Sequence, residues 1–319
     1  MQHHIVFLER DTLDANITLP CPNFPHRWQS YPNTSPEQVV ERLKDASIAI
    51  VNKVRIGAKE LAQLPQLQLI ALAATGSDNV DLTACRAANV GVCNIRNYSG
   101  PSVPEHAMAL ILALSRNLFA WRQSLLAGRW QQSGQFCFFD HSIVDLQGKQ
   151  LGIIGKGTLG QALGERAKHM GMTVRYAQRQ LATSQEPDRL PLDELLQCSD
   201  VISLHCPLTP TTRNLLGERE LRLMKPGALL INVGRGGLVD ETALLKVLAD
   251  GHLGGAGFDV ASIEPPPLDH PLMQALQYPN FILTPHVAWA SEASIQRLAD
   301  QLIDNINAFA AGHNQHRLA

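Results

Sequence analysis

At 319 residues the chain is longer than one average domain, and two domains are expected. Hydrophobic residues make up 45% and charged residues 18%, the balance of a globular chain with a core and not of a disordered or fibrous one. A formal net charge of −2 argues against a broad nucleic-acid-binding face, and the apolar run over 107–114 falls far short of the ~20 residues that cross a bilayer.

The first apolar run, Ile5-Val6-Phe7-Leu8, is too short for the core of an export signal. The six cysteines, Cys21, Cys85, Cys93, Cys137, Cys198 and Cys206, form no C-x-x-C pair and no cluster with histidine. Reduced thiols, no metal site and a cytoplasmic address are therefore expected. Short Val- and Ile-rich runs alternate with helical stretches, the pattern of an α/β chain with parallel sheets. In the first third, strands are predicted over 5–8, 48–52, 69–73 and 90–94. A helix is predicted from Pro36, a residue suited to a first helical turn, to about 45, and another from about 81 to 88. A long helix starts near Ser102 and runs to about 118. Its Ala107, Leu110, Ile111 and Leu114 fall at i, i+3, i+4 and i+7, and Ser102 with Glu105 has the spacing of a capping box. From Lys149 a second series follows, with strands predicted over 151–154, 173–177, 201–204, 228–233, 256–260 and 281–283. The last helix, from Ser291 to about 311, has no strand of its own to accompany. A discontinuous first domain, built from both ends of the chain, is expected.

Gly155-Lys156-Gly157-Thr158-Leu159-Gly160 follows a buried-type strand and opens a helix that Gly171 ends. In that setting Gly155 allows the tight turn, Gly157 lets a pyrophosphate approach the backbone, and Gly160 lets helix and strand pack closely. The phosphates would meet unpaired N–H groups at Thr158 and Leu159, where the helix dipole favours negative charge. The expected cofactor is NAD(P). An NAD-selective site generally places an acid at the end of the second strand. Here Val174-Arg175-Tyr176-Ala177 is followed by Gln178 and Arg179, and no acid appears until Glu186. Losing that carboxylate removes its repulsion of a 2′-phosphate, which Arg179 would contact, so NADPH is favoured over NADH.

Four later segments complete a pattern: Ser203-Leu204-His205-Cys206-Pro207-Leu208-Thr209, Ile231-Asn232-Val233-Gly234-Arg235-Gly236-Gly237, Gly257-Phe258-Asp259-Val260 with Glu264-Pro265, and Thr284-Pro285-His286. With the glycine motif, in this order and spacing over 99–290, they resemble the D-isomer-specific 2-hydroxyacid dehydrogenases. Thr75-Gly76-Ser77-Asp78-Asn79-Val80-Asp81 is similar to that family's substrate loop. Ala288-Trp289-Ala290-Ser291 is most similar to its glycerate dehydrogenase (hydroxypyruvate reductase) branch. The resemblance implies two doubly wound parallel-sheet α/β domains. A Rossmann-type dinucleotide-binding domain over 98–287 would be inserted into a smaller flavodoxin-like substrate domain made of 1–97 and 288–319, with a cleft between them. It also implies a homodimer built largely through the helix from Ser102, although the apolar face of that helix could equally be intrachain core.

Reducing a 2-keto acid needs a hydride donor, an acid for the forming alkoxide and a cation for the carboxylate. The resemblance implies His286 as the acid/base, Glu264 as the carboxylate that orients it, and Arg235 as the group that binds and polarises the substrate. All three follow apolar strands, and ligands of open α/β sheets bind outside the strands' carboxyl ends. Histidine exchanges a proton near neutrality, and a guanidinium grips a carboxylate with two hydrogen bonds. The family pattern also places Pro207 and Asp259 beside the dinucleotide, and the N–H groups of Thr75, Gly76 and Ser77 at the substrate carboxylate. Hydroxypyruvate or glyoxylate is the expected substrate, with no nucleic-acid or membrane partner. The alternative is a dinucleotide-sensing, corepressor-like binding protein on the same fold.

Overall fold

The computed structural model describes residues 2–178 and 186–319. The chain divides into two compact units, one of residues up to Ser99 together with Ala290–Ala319, the other Gly100–Trp289.

The first unit is a five-stranded sheet of β1 (His3–Phe7), β2 (His26–Ser30), β3 (Ile48–Val51), β4 (Leu69–Leu72) and β5 (Gly91–Cys93). All pairs are parallel and the order is β2-β1-β3-β4-β5, the doubly wound flavodoxin-like arrangement. Every residue of β3 and β4 is buried, as expected of a parallel sheet covered on both faces, and so both runs read as unbroken Ile, Ala, Val and Leu. Asp81 starts the helix Leu82–Ala87 by accepting from the N–H groups of Thr83 and Ala84 at 3.0 and 2.9 Å. The helix Glu292–Ala310 begins at Ser291, buries Ile295, Leu298, Leu302 and Ile306 on one stripe, and packs on β4. The last residues then run beside β5, where Leu318 N–H donates to Val92 O at 2.7 Å and closes an otherwise open edge. The edge strand β2 was not predicted. Its His-Arg-Trp-Gln-Ser buries no residue, so no apolar alternation marks it.

The second unit is a seven-stranded parallel sheet of β6 (Gln150–Ile154), β7 (Thr173–Ala177), β8 (Arg189–Leu190), β9 (Val201–Leu204), β10 (Leu229–Asn232), β11 (Gly255–Phe258) and β12 (Phe281–Leu283). Its order is β12-β11-β10-β9-β6-β7-β8, so the chain winds outward both ways from the β6/β9 pair. That reversal opens a crevice at the strands' carboxyl ends, where ligands of such sheets bind. The helix Ser102–Ser115 lies over β10 and β11, and its Ala107, Leu110, Ile111 and Leu114 are buried in this unit's own core with Leu151, Ile153 and Leu163. The stripe is intrachain core. β11 accommodates it by being small: a Cβ at Gly257 would stand 3.1 Å from Leu110 Cβ, and one at Gly255 3.0 Å from Leu114 Cδ2.

Two local expectations are corrected, and one short strand was not predicted. The helix from Ser102 stops at Ser115, because Asn117 turns the backbone left-handed (φ 52°) before a new helix, Leu118–Leu126. The capping box does not form. Pro101 takes the cap position, the Ser102 hydroxyl donates to Ala288 O at 2.6 Å, and Glu105 accepts from Arg166 at 3.4 Å. The two-residue edge strand β8 was missed, being too short to carry a period.

Candidate active site

The glycine motif turns out of β6 into the helix Thr158–His169. Gly155 has φ +112°, and a Cβ there would lie 2.6 Å from the His205 carbonyl carbon. At Gly160 a Cβ would lie 2.1 Å from Gly155 O, so only glycine lets the helix come this close to the turn. Gly157 differs: a Cβ would meet no heavy atom within 4 Å. Sterics forbid a side chain at two of the glycines and leave the space before the third open. Thr158 and Leu159 form the first turn beside that opening, with first-turn N–H groups that lack intrahelical acceptors. The cradle fits a dinucleotide pyrophosphate.

Around the cradle, burial removes reactive charge. His205, behind Gly155, is pushed down to about 4 by burial and stays neutral, with Nε2 2.9 Å from Ser203 Oγ. Burial likewise pushes the Cys206 thiol up to about 11. Pro207 is exposed at the end of β9, where its carbonyl accepts from the Thr212 hydroxyl at 2.8 Å. Gln178 closes β7, its N–H donating to Leu190 O at 2.8 Å, while Arg179 lies outside the described residues. Lys156, within the glycine motif, donates to Glu186 at 2.7 Å and Asp188 at 2.9 Å. Those hydrogen bonds hold the ammonium above its ordinary pKa and Glu186 below its own.

At the carboxyl ends of β10, β11 and β12 the structure brings His286 and Glu264 together, with Nδ1 2.7 Å from Oε2. His286 sits in the left-handed region (φ 56°), a strained conformation for a side-chain-bearing residue that its surroundings must enforce. Two side chains do so. Asp259, 1% exposed, accepts from the Thr284 hydroxyl (2.5 Å), Val287 N–H (2.9 Å) and Ala288 N–H (2.8 Å), and Trp289 Nε1 donates to His286 O at 2.8 Å. Asp259 thus anchors the histidine loop. His106 Nε2 extends this network to Thr284 Oγ1 at 3.0 Å. Glu264's other oxygen accepts from Ala261 N–H at 3.1 Å.

Arg235 follows β10 in a turn closed by buried Asn232, whose amide donates to Arg235 O (3.0 Å) and accepts from Gly234 N–H (3.1 Å). The Arg235 guanidinium donates to Gly234 O, and no carboxylate among the described residues pairs with it. Asn232, Trp289 and His106 were absent from the sequence-derived set. A polar residue ending an otherwise buried strand was the available signal for Asn232. Trp289 stood in the Ala288–Ser291 segment with nothing to mark its bond to His286 O, and His106 gave no signal because its partner Thr284 lies far along the chain. In the first unit, the loop after β4 is tied to Ile95 O by the Thr75 hydroxyl (2.7 Å). The N–H groups of Thr75, Gly76 and Ser77 meet no acceptor among the described residues. Among the described residues no cluster of His, Cys, Asp and Glu could hold a metal, and no helix is long and apolar enough to cross a membrane.

A glycine cradle at a sheet's switch point, with a carboxylate-oriented histidine at the same carboxyl edge, defines the class of dinucleotide-dependent oxidoreductases. The family model for the NAD binding domain of D-isomer specific 2-hydroxyacid dehydrogenases matches residues 108–288. The chain is 50% identical over 319 residues to a glycerate dehydrogenase of Methylorubrum extorquens, covering 99% of both chains. It is 36% identical over 282 residues to a hydroxypyruvate reductase of Blautia hydrogenotrophica, covering 88% of this chain and 87% of that one. Its fold matches the crystal structure of an NADPH-dependent glyoxylate/hydroxypyruvate reductase from Sinorhizobium meliloti, solved with citrate. The TM-score is 0.84 at 27% identity, over 100% of this chain and 98% of the other. The chain belongs to the D-isomer-specific 2-hydroxyacid dehydrogenases and is an oxidoreductase.

Proposed function

We propose that the protein reduces a short 2-keto acid, hydroxypyruvate or glyoxylate, reversibly to the D-2-hydroxy acid with NAD(P)H. The observation that carries the chemistry is the 2.7 Å contact between His286 Nδ1 and Glu264 Oε2. When bound, the reduced dinucleotide supplies the hydride. Gly155, Gly157, Thr158, Leu159 and Gly160 hold its phosphates, with Gln178, Pro207 and Asp259 bordering the rest. Because Nδ1 donates to Glu264, Nε2 is the atom of His286 that gives a proton to the forming alkoxide. The unpaired Arg235 guanidinium binds the substrate carboxylate and polarises the keto oxygen as charge builds on it. The free N–H groups of Thr75, Gly76 and Ser77 are further donors for that carboxylate.

NADPH is assigned a mild preference over NADH. Gln178 stands where an acid would repel a 2′-phosphate, and the next acid, Glu186, is occupied by Lys156 and Arg189. Arg179 is proposed to contact that phosphate. The protein is proposed to work as a cytoplasmic homodimer. Its six free cysteines suit a reducing compartment, and the apolar side chains exposed between 118 and 144 suit burial against a second copy. A panel of 2-keto acids assayed with both reduced dinucleotides tests the reading. Turnover above ~1 per second with hydroxypyruvate or glyoxylate and a D-configured product are expected. No turnover on any 2-keto acid contradicts the function. A kcat/KM for NADH more than about tenfold above that for NADPH contradicts the preference alone.

A further inference from the structure

Beneath the turn that carries Glu264 lies a buried charged cluster that the mechanism above does not use. Glu241 and His270 have side chains only 7% and 6% exposed. Glu241 is the first residue of the helix Glu241–Ala249, a position where a carboxylate ordinarily reaches into solvent. Burying it is costly unless its oxygens are partnered. They are: Oε1 accepts from Ser262 N–H at 2.8 Å, and Oε2 accepts from the Ser262 hydroxyl at 2.5 Å and faces His270 Nε2 at 3.1 Å. His270 caps the helix Pro271–Ala275, its Nδ1 accepting from Leu272 N–H at 3.3 Å. With Nδ1 an acceptor, the ring proton sits on Nε2 and is donated to Glu241.

We propose that Glu241, with Ser262 and His270, is a positioning device that sets Glu264 against His286 and braces the Arg235 loop on the same turn. Ala261, next to the pinned Ser262, donates its N–H to Glu264 Oε1 at 3.1 Å, and the other oxygen of that carboxylate holds His286. Gly236, next to Arg235, lies directly on this turn. A Cβ there would fall 1.9 Å from Ala261 O and 2.5 Å from Ser262 N. One hydrogen-bonded turn therefore contacts both the orienting carboxylate and the backbone from which the guanidinium projects. Preorganisation of this kind matters because small misplacements of a reacting group cost rate more than they cost binding. The inference rests on the proposed roles of Glu264, His286 and Arg235.

A double-mutant cycle on the full chain separates positioning from simple stabilisation. Glu241→Gln, Glu264→Gln and the double variant are compared by kcat for 2-keto acid reduction and by the dinucleotide Kd from nicotinamide fluorescence. Glu241→Gln is expected to lower kcat about tenfold and leave the Kd within about twofold. In the Glu264→Gln background it is expected to cost less than about twofold more, because both act through one carboxylate. Ser262→Ala, which keeps the N–H donated to Glu241 and removes only the hydroxyl, is expected to show the same pattern with a smaller drop. Independent, multiplying effects of Glu241→Gln and Glu264→Gln overturn the inference, as does unchanged kcat in both Glu241→Gln and Ser262→Ala. Unchanged kcat in Glu264→Gln alone overturns the catalytic reading and the inference with it, and so identifies the step that failed.

Discussion

Gly157 and Gly160 stand three residues apart in one motif and are glycines for different reasons. Gly157 has ordinary extended angles (φ −87°, ψ −175°), which alanine adopts freely, and no neighbour for a Cβ to strike. Gly157→Ala is therefore expected to unfold within about 0.5 kcal/mol of the parent. Its affinity for NADPH should fall at least tenfold, roughly 1.4 kcal/mol, because the added methyl occupies the approach of the pyrophosphate. Gly160→Ala instead forces a Cβ to 2.1 Å from Gly155 O and should cost roughly 1–3 kcal/mol of stability or more. Calorimetry and fluorescence titration of both variants check this, and wild-type NADPH affinity in Gly157→Ala would sink the cradle. The motif was legible in the sequence. The close approach of Gly155 to His205, fifty residues on, was not.

Among the elements, legibility followed burial. β3 and β4, buried at every position, were read from their unbroken apolar runs, and β9 from a run broken only by Ser203, whereas the edges β2 and β8 were not. Edge strands are held by one neighbour and face solvent, so backbone pairing creates them without a side-chain pattern. His286 and Glu264 were legible as residues following strands. The positive φ of His286 and the Asp259 contacts that enforce it join loops and could not be read locally. The apolar stripe of the helix Ser102–Ser115 is spent inside its own unit, so the proposed homodimer would use the segment after it. Phe136 and Phe139 are 88% and 89% exposed there, with Leu126 and Trp130 nearby in sequence. Sedimentation equilibrium at micromolar concentration should give twice the 34.9 kDa chain mass, and Phe136→Asp with Phe139→Asp should shift it toward the monomer. A monomeric wild-type protein would contradict the homodimer.

For the molecule as a whole, family membership and the two parallel-sheet units account for a glycine cradle and a carboxylate-paired histidine on one carboxyl edge, which are proposed to bind the dinucleotide and to transfer the proton. The choice among short 2-keto acids was not legible, because pocket size depends on loop placement, which no local sequence pattern encodes. The central claim is that this edge performs proton transfer while the cradle performs binding, two tasks carried by different residues of the same sheet. Steady-state kinetics of His286→Ala with hydroxypyruvate, paired with titration of NADPH, tests that division most directly. The account predicts that kcat falls by about 100-fold or more while the dinucleotide Kd stays within about twofold; near-normal turnover in this variant would contradict it.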